Sequence, residues 1–174
     1  MFKTTANKIT MLRIVLIPVF LLLAYAGRMA AALAVFLIAC VSDFLDGYIA
    51  RHYDQISDFG KFMDPLADKV LVMAAMCFFV EAGRMPGWVL AIVLLREFAV
   101  SGMRLVAVEQ GRVIAAAWSG KIKTGCTMVG LALMLLFGQS KALCTVVSIV
   151  ILVTTVYSGV EYFMKNKDVF KDAN

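Results

Sequence analysis

Histidine is almost missing from this sequence, and cysteine is sparse. There is one His, His52, and there are four Cys: Cys40, Cys77, Cys126 and Cys144. The cysteines fall singly inside apolar runs with no metal-ligand spacing, so they read as buried packing residues. His52 stands beside Arg51 and reads as a surface residue. A zinc centre, which would recruit His or Cys, has nothing to build on. Internal repeats, low-complexity segments and long linkers are also lacking, which leaves one domain over residues 1–174. The first apolar stretch lacks a small-residue cleavage site, so it reads as a span and not as a signal peptide. The net charge of +5 is modest. Membrane topology and attraction to anionic lipids account for the basic residues, and nucleic acid is not an expected partner.

What is there is apolar. Hydrophobic residues make up 62% of the chain, and its mean hydropathy is +0.87. A soluble domain is nearer half apolar, and one soluble core of this length could not hide the excess. Apolar runs long enough to cross a bilayer recur, each needing about 20 residues. The expected fold is an all-α integral membrane protein with six transmembrane helices. The spans are roughly Thr10–Ala26, Met29–Ala50, Phe62–Ala82, Trp88–Val108, Trp118–Phe137 and Leu143–Met164. Gly27, Gly83, the Pro86–Gly87 pair and Gly138 mark turns.

Charge sets the orientation. With six spans, Lys3, Lys8, Arg13, Arg51, Lys61, Lys69, Arg104, Arg112, Lys121, Lys123, Lys165, Lys167 and Lys171 fall on one side. Arg28, Arg84 and Lys141 fall on the other, a bias of thirteen to three. Positive residues favour the cytoplasmic side, so both termini are expected there.

Against this background the stretch SDFLDGYIARHYDQISDFGKFMDPLADK, residues 42–69, is out of place, because it holds six aspartates. Asp43, Asp46 and Gly47 lie at i, i+3 and i+4 at the end of the second span, on one helical face. Gly60, Asp64 and Asp68 lie at i, i+4 and i+8 at the start of the third, again on one face. The short linker makes the two spans antiparallel neighbours, so four carboxylates can meet around one cavity at the cytoplasmic surface. Gly47 and Gly60 clear room for close approach. Carboxylates crowded together need counter-charge. Oxygen ligands without sulfur or imidazole suit hard divalent ions such as magnesium, manganese or calcium. Two such ions about 4 Å apart can clamp a phosphate during displacement. Asp54 and Asp58 read as solvated loop residues.

The string Asp43-Phe-Leu-Asp46-Gly47-Tyr-Ile-Ala50-Arg51, eight residues, Gly60-Lys-Phe-Met-Asp64-Pro-Leu-Ala-Asp68 resembles the signature of the CDP-alcohol phosphatidyltransferases, D-x-x-D-G-x-x-A-R-x8-G-x-x-x-D-x-x-x-D. The strings Asn7–Arg13, Arg96–Arg104, Gly120–Thr124 and Tyr157–Tyr162 look like the bacterial, glycerol-phosphate-using branch of that family. One position departs: Thr127 stands where many relatives carry Gln. The resemblance implies a six-helix enzyme of the bacterial cell membrane, a homodimer, with its active site facing the cytoplasm. It implies two divalent ions, Mg2+ or Mn2+, held by Asp43, Asp46, Asp64 and Asp68, with Asp68 also the general base. It further implies that Gly47, Ala50 and Arg51 contact the CDP moiety, together with Gly60, that Ser57 lies near its phosphates, and that Asn7 and Thr10 border the CDP-lipid site. The implied reaction moves the phosphatidyl group from CDP-diacylglycerol to an alcohol and releases CMP.

The expected acceptor is sn-glycerol 3-phosphate, whose dianionic phosphate needs fixed cations. Arg104, Lys121 and Lys123 stand at the cytoplasmic junction of the fourth and fifth spans. Lys121 and Lys123 are two apart, so a helix separates them: one binds phosphate and the other meets lipid headgroups. Arg96 and Glu97 are adjacent, so each is expected to pair elsewhere in a structural polar network. Arg112 reads equally as an acceptor contact or a loop charge. The tail KNKDVFKDAN reads as an amphipathic surface segment with Val169 and Phe170 towards lipid. The same signature would also serve inositol phosphate, serine or phosphatidylglycerol as acceptor. A divalent-ion transporter, the remaining class, would need acids along a path across the membrane, and here they cluster at one face.

Overall fold

Each long apolar run forms a helix, and each helix stops where the chain must reverse. The computed structural model describes the backbone of residues 5–52, 58–115 and 117–170, and the side chains of residues 11–42, 67, 69–115 and 117–169. Six α-helices follow in order: α1 (Thr5–Tyr25), α2 (Met29–His52), α3 (Asp58–Glu81), α4 (Gly87–Glu109), α5 (Trp118–Phe137) and α6 (Lys141–Lys165). A short 3-10 helix, Lys167–Phe170, ends the described chain. The expected spans lie within these helices to within a residue or two at most ends. Gly27 and Gly83, at φ of 74° and 66°, turn α1 into α2 and α3 into α4. Only a residue without Cβ takes that conformation freely.

Two apolar clusters hold the helices together. The larger draws on all six, with Phe20, Phe36, Phe79, Val93, Met134 and Ile151 among its buried members. The smaller joins Val100, Met103 and Ala107 of α4 to Tyr162 of α6 and to Val169. Val169 is therefore turned inward, not towards lipid as expected. Gln110 Nε2 donates to the Val169 carbonyl at 3.1 Å, which ties the 3-10 helix to the end of α4. The side chain of Phe170 lies outside the described residues.

Where α5 meets α6 the approach is close. A Cβ on Gly130 would stand 2.8 Å from Val147 Cγ1. At the opposite end from the acidic stretch, the Tyr25 hydroxyl donates to Glu81, joining α1 to α3.

The outward surface is inverted relative to a soluble protein. Leu22, Phe98 and Met164 are 71%, 73% and 70% exposed, and every helix carries such residues. By length and composition α5 and α6 are each able to cross a membrane. The described part of α4 carries Arg96, Glu97 and Arg104 along its own length, which lowers its hydropathy. The cysteines divide: Cys144 is buried, Cys40 and Cys126 are half-buried, and Cys77 is exposed. The expectation that all four are buried holds for Cys144, is met in part at Cys40 and Cys126, and fails at Cys77, which the chain turns outward.

Candidate active site

The acidic motif sits on the two helices assigned to it. Asp43, Asp46, Gly47, Ala50 and Arg51 belong to the C-terminal part of α2, and Gly60, Asp64 and Asp68 to the N-terminal part of α3. Asn7 and Thr10 lie in the first turns of α1. The side chains of all these residues, and Ser57 altogether, lie outside the described residues. Among the described residues no three His, Cys, Asp or Glu side chains gather to hold an ion.

Beyond the acidic segment of α3 the side chains are described. A cavity of about 470 Å³ lies between α3, α4 and α5, with Tyr162 of α6 in its wall. Lys69, Val72 and Met73 of α3 line it, immediately after Asp68 in sequence. From α4 come Arg96, Glu97, Val100, Ser101 and Arg104, and from α5 Gly120, Lys121, Lys123, Thr124 and Thr127. Among the described residues of the lining, five side chains are cationic and Glu97 is the one carboxylate.

The cations are held differently. Arg104 Nε donates to the Tyr162 hydroxyl at 3.0 Å, and its guanidinium carbon lies 5.5 Å from that ring's centre. This occupies one edge of the guanidinium and leaves the terminal amines for other acceptors. Lys123 is buried and donates to Glu97 Oε1 at 2.8 Å. Lys121 is exposed, with its ammonium 4.9 Å from the centre of the Trp118 ring. The two lysines differ in burial and partner, as their spacing on one helix implies, yet both line the cavity, because a lysine stem is long enough to reach around its helix. Thr127, the departing position, turns its hydroxyl to the Lys123 carbonyl at 2.8 Å, within its own helix.

The expectation that Arg96 and Glu97 avoid each other is overturned. Arg96 Nη1 donates to Glu97 Oε1 at 2.9 Å. Adjacent helical residues diverge at Cβ, but an arginine can fold back if space allows. Two glycines provide it: a Cβ on Gly159 would stand 3.2 Å from Arg96 Cγ, and one on Gly120 would stand 3.5 Å from Nη2.

Three residues to which the sequence assigns no place at the site are buried or line the cavity. Lys69 donates to Ser101 Oγ at 2.6 Å and lies 3.8 Å from Glu97 Oε2. Its signal was present, since Lys69, Val72 and Met73 stand at i, i+3 and i+4. Arg13 is fully buried in α1. Nothing in its local sequence marks that burial. Tyr162 is buried and touches the cavity. Arg112 lines a separate cavity of about 600 Å³ together with Lys165 and Asp168. It is not among the described residues that line the cavity between α3, α4 and α5.

An acidic segment on α2 and α3, with α3 running on into the wall of a cationic cavity, suits transfer between two phosphate-bearing substrates. The sequence profile of the CDP-alcohol phosphatidyltransferases matches residues 3–159, and the chain belongs to that family. Among its relatives, the CDP-diacylglycerol–glycerol-3-phosphate 3-phosphatidyltransferase of Bacillus subtilis is 39% identical, over 97% of each chain. A probable phosphatidylglycerophosphate synthase of Mycobacterium tuberculosis is 38% identical over 90% of this chain and 78% of its own. The Escherichia coli CDP-diacylglycerol–glycerol-3-phosphate 3-phosphatidyltransferase is 40% identical, over 73% of this chain and 74% of its own.

Proposed function

We infer that this chain is a CDP-diacylglycerol–glycerol-3-phosphate 3-phosphatidyltransferase, forming phosphatidylglycerophosphate and CMP. The observation that carries the reading is the cavity with Lys69, Arg96, Arg104, Lys121 and Lys123 in its lining, next to the aspartate-bearing turn of α3. A dianionic phosphate is the ligand such a cavity accommodates best. The names and identities of the relatives support the same donor and acceptor.

Residues 1–174 form one membrane domain with six spans and both termini in the cytoplasm. The active site opens to the cytoplasmic side of a bacterial plasma membrane. The thirteen-to-three bias of basic residues supports that orientation. The exposed apolar faces of the helices support embedding in lipid, and the enzyme acts as a homodimer. A site at the membrane surface lets the donor's acyl chains remain in lipid while its headgroup enters a polar cavity.

Asp43, Asp46, Asp64 and Asp68 would hold two divalent ions, Mg2+ or Mn2+, which when bound neutralise the diphosphate of the donor. Gly47, Ala50, Arg51 and Gly60 receive the CDP moiety, with Ser57 near its phosphates and Asn7 and Thr10 at the border of the lipid. Arg104 and Lys123, with Lys121 at the rim, receive the acceptor's phosphate. That fixes the glycerol hydroxyl towards α3, where Asp68 takes its proton as the oxygen attacks the phosphatidyl phosphorus. The bond from that phosphorus to CMP breaks, and CMP leaves.

The test is direct. Purified protein, magnesium and CDP-diacylglycerol are incubated with glycerol 3-phosphate, inositol phosphate, serine or phosphatidylglycerol in separate reactions. Phosphatidylglycerophosphate and CMP should appear with glycerol 3-phosphate alone. Equal or faster turnover of another acceptor would overturn the assignment.

A further inference from the structure

Among the described residues, Glu97 is the one carboxylate in the lining of a cavity rich in cations. An acid there opposes phosphate binding by simple charge, so its presence needs a physical reason. Its contacts supply one. A single oxygen, Oε1, accepts from Lys123 Nζ at 2.8 Å and from Arg96 Nη1 at 2.9 Å. The other oxygen lies 3.8 Å from Lys69 Nζ. One carboxylate therefore joins cations from α3, α4 and α5.

These cations do not depend on it equally. Arg96 is Glu97's own neighbour on α4 and lies in the room that Gly120 and Gly159 leave, so its position is set by its helix as well as by the carboxylate. Lys69 has Ser101 as a second anchor. Lys123 has neither. Its side chain is 6% exposed and Glu97 is the acceptor of its ammonium among the described residues. A lysine has a flexible four-carbon stem and three N–H donors. One donor held by Glu97 aims the ammonium and leaves two for a ligand. A buried ammonium without an anion would also be strongly disfavoured.

We propose that Glu97 is the positioning residue of the acceptor pocket, holding the Lys123 ammonium aimed at the place where the acceptor's phosphate is received. This rests on the reading of the cavity as the glycerol 3-phosphate site. It assigns the Arg96–Glu97 pair a part in acceptor recognition, where a purely structural network would touch both substrates alike.

The experiment compares the full-length enzyme with Glu97→Gln, Glu97→Asp, Lys123→Met and the double variant Glu97→Gln/Lys123→Met. Initial rates are measured while each substrate is varied in turn. Glu97→Gln should raise the KM for glycerol 3-phosphate roughly tenfold or more, the effect of losing one charge-assisted contact. The KM for CDP-diacylglycerol should stay within about twofold. Glu97→Asp, which keeps the charge on a shorter stem, should recover part of the loss. The double variant should have the same acceptor KM as Lys123→Met alone, because the carboxylate acts through that lysine.

A Glu97→Gln change that raises both KM values together overturns the proposal, as does one that leaves both unchanged. So does a double variant whose acceptor KM is the product of the two single effects. If Glu97→Gln does not yield folded protein, the double variant, which removes the buried charges of both partners, decides the matter against Lys123→Met. The underlying reading fails separately: if Lys123→Met itself leaves the acceptor KM unchanged, the cavity does not receive the acceptor through this lysine.

Discussion

Lys123 and Glu97 form an ion pair across α5 and α4, with 2.8 Å between Nζ and Oε1, and neither side chain is more than 13% exposed. The pair lies one helix away from the segment that carries Asp64 and Asp68. Lys69, next in sequence to Asp68, reaches towards the same carboxylate. The cationic cavity and the acidic segment are thus joined through α3 itself, and perturbations on the two sides should separate by substrate.

Replacing Asp43, Asp46 or Asp64 with Asn should reduce turnover by at least about a hundredfold, the scale of losing electrostatic stabilisation of the transition state. Asn keeps the shape and removes the charge, so the protein should still extract as a single folded species. Steady-state rates together with size-exclusion profiles check both halves. A near-normal rate in any of the three would remove that residue from the metal set.

Treatment with a chelator should abolish product formation, and added magnesium or manganese should restore it. The donor set contains only oxygen, which suits hard ions. CMP release measured after titrating each metal into the stripped enzyme gives the answer. Recovery with zinc alone would contradict the oxygen-ligand assignment.

Arg104→Ala and Lys121→Ala should fall into different classes. Arg104 is oriented by Tyr162 towards the cavity, and its loss should weaken acceptor binding by about 1.5–3 kcal/mol, roughly tenfold to a hundredfold in KM. Lys121 is exposed over Trp118, and its loss should change the acceptor KM by no more than about fivefold, the scale of an exposed charge. Tyr162→Phe should share the direction of Arg104→Ala at smaller size, since the ring remains and one hydrogen bond goes. Acceptor KM values for the three variants, measured side by side, test the ranking.

Gly130→Ala should destabilise the fold without touching the chemistry. The new methyl would meet Val147 Cγ1 at 2.8 Å, and overpacking of this kind costs about 1–3 kcal/mol. Thermal unfolding in detergent should show a lowered midpoint, while KM for both substrates stays at the parent value at low temperature. An unchanged midpoint would mean that the α5–α6 contact gives way more easily than its geometry implies.

The number of helices, their approximate limits and the placement of the acids were readable along the chain, because hydropathy and the helical repeat are local properties. The D-x-x-D-G-x-x-A-R string could be read for the same reason: its meaning lies in spacing along one helix and into the next. Gly27 and Gly83 announced their turns through a backbone need that no neighbour alters. What each side chain meets across the bundle is another matter. That Arg96 folds back onto Glu97 depends on Gly120 and Gly159 arriving from α5 and α6. Val169 turns inward because α4 and α6 leave an apolar place for it beside Met103 and Tyr162. Lys69 joins the acceptor cavity, and Arg13 is sealed from solvent, only once the rotation of each helix about its axis is set. In a chain that is apolar on nearly all sides, hydropathy cannot choose that rotation. Packing of residues distant in sequence chooses it, and with it which charges face one another.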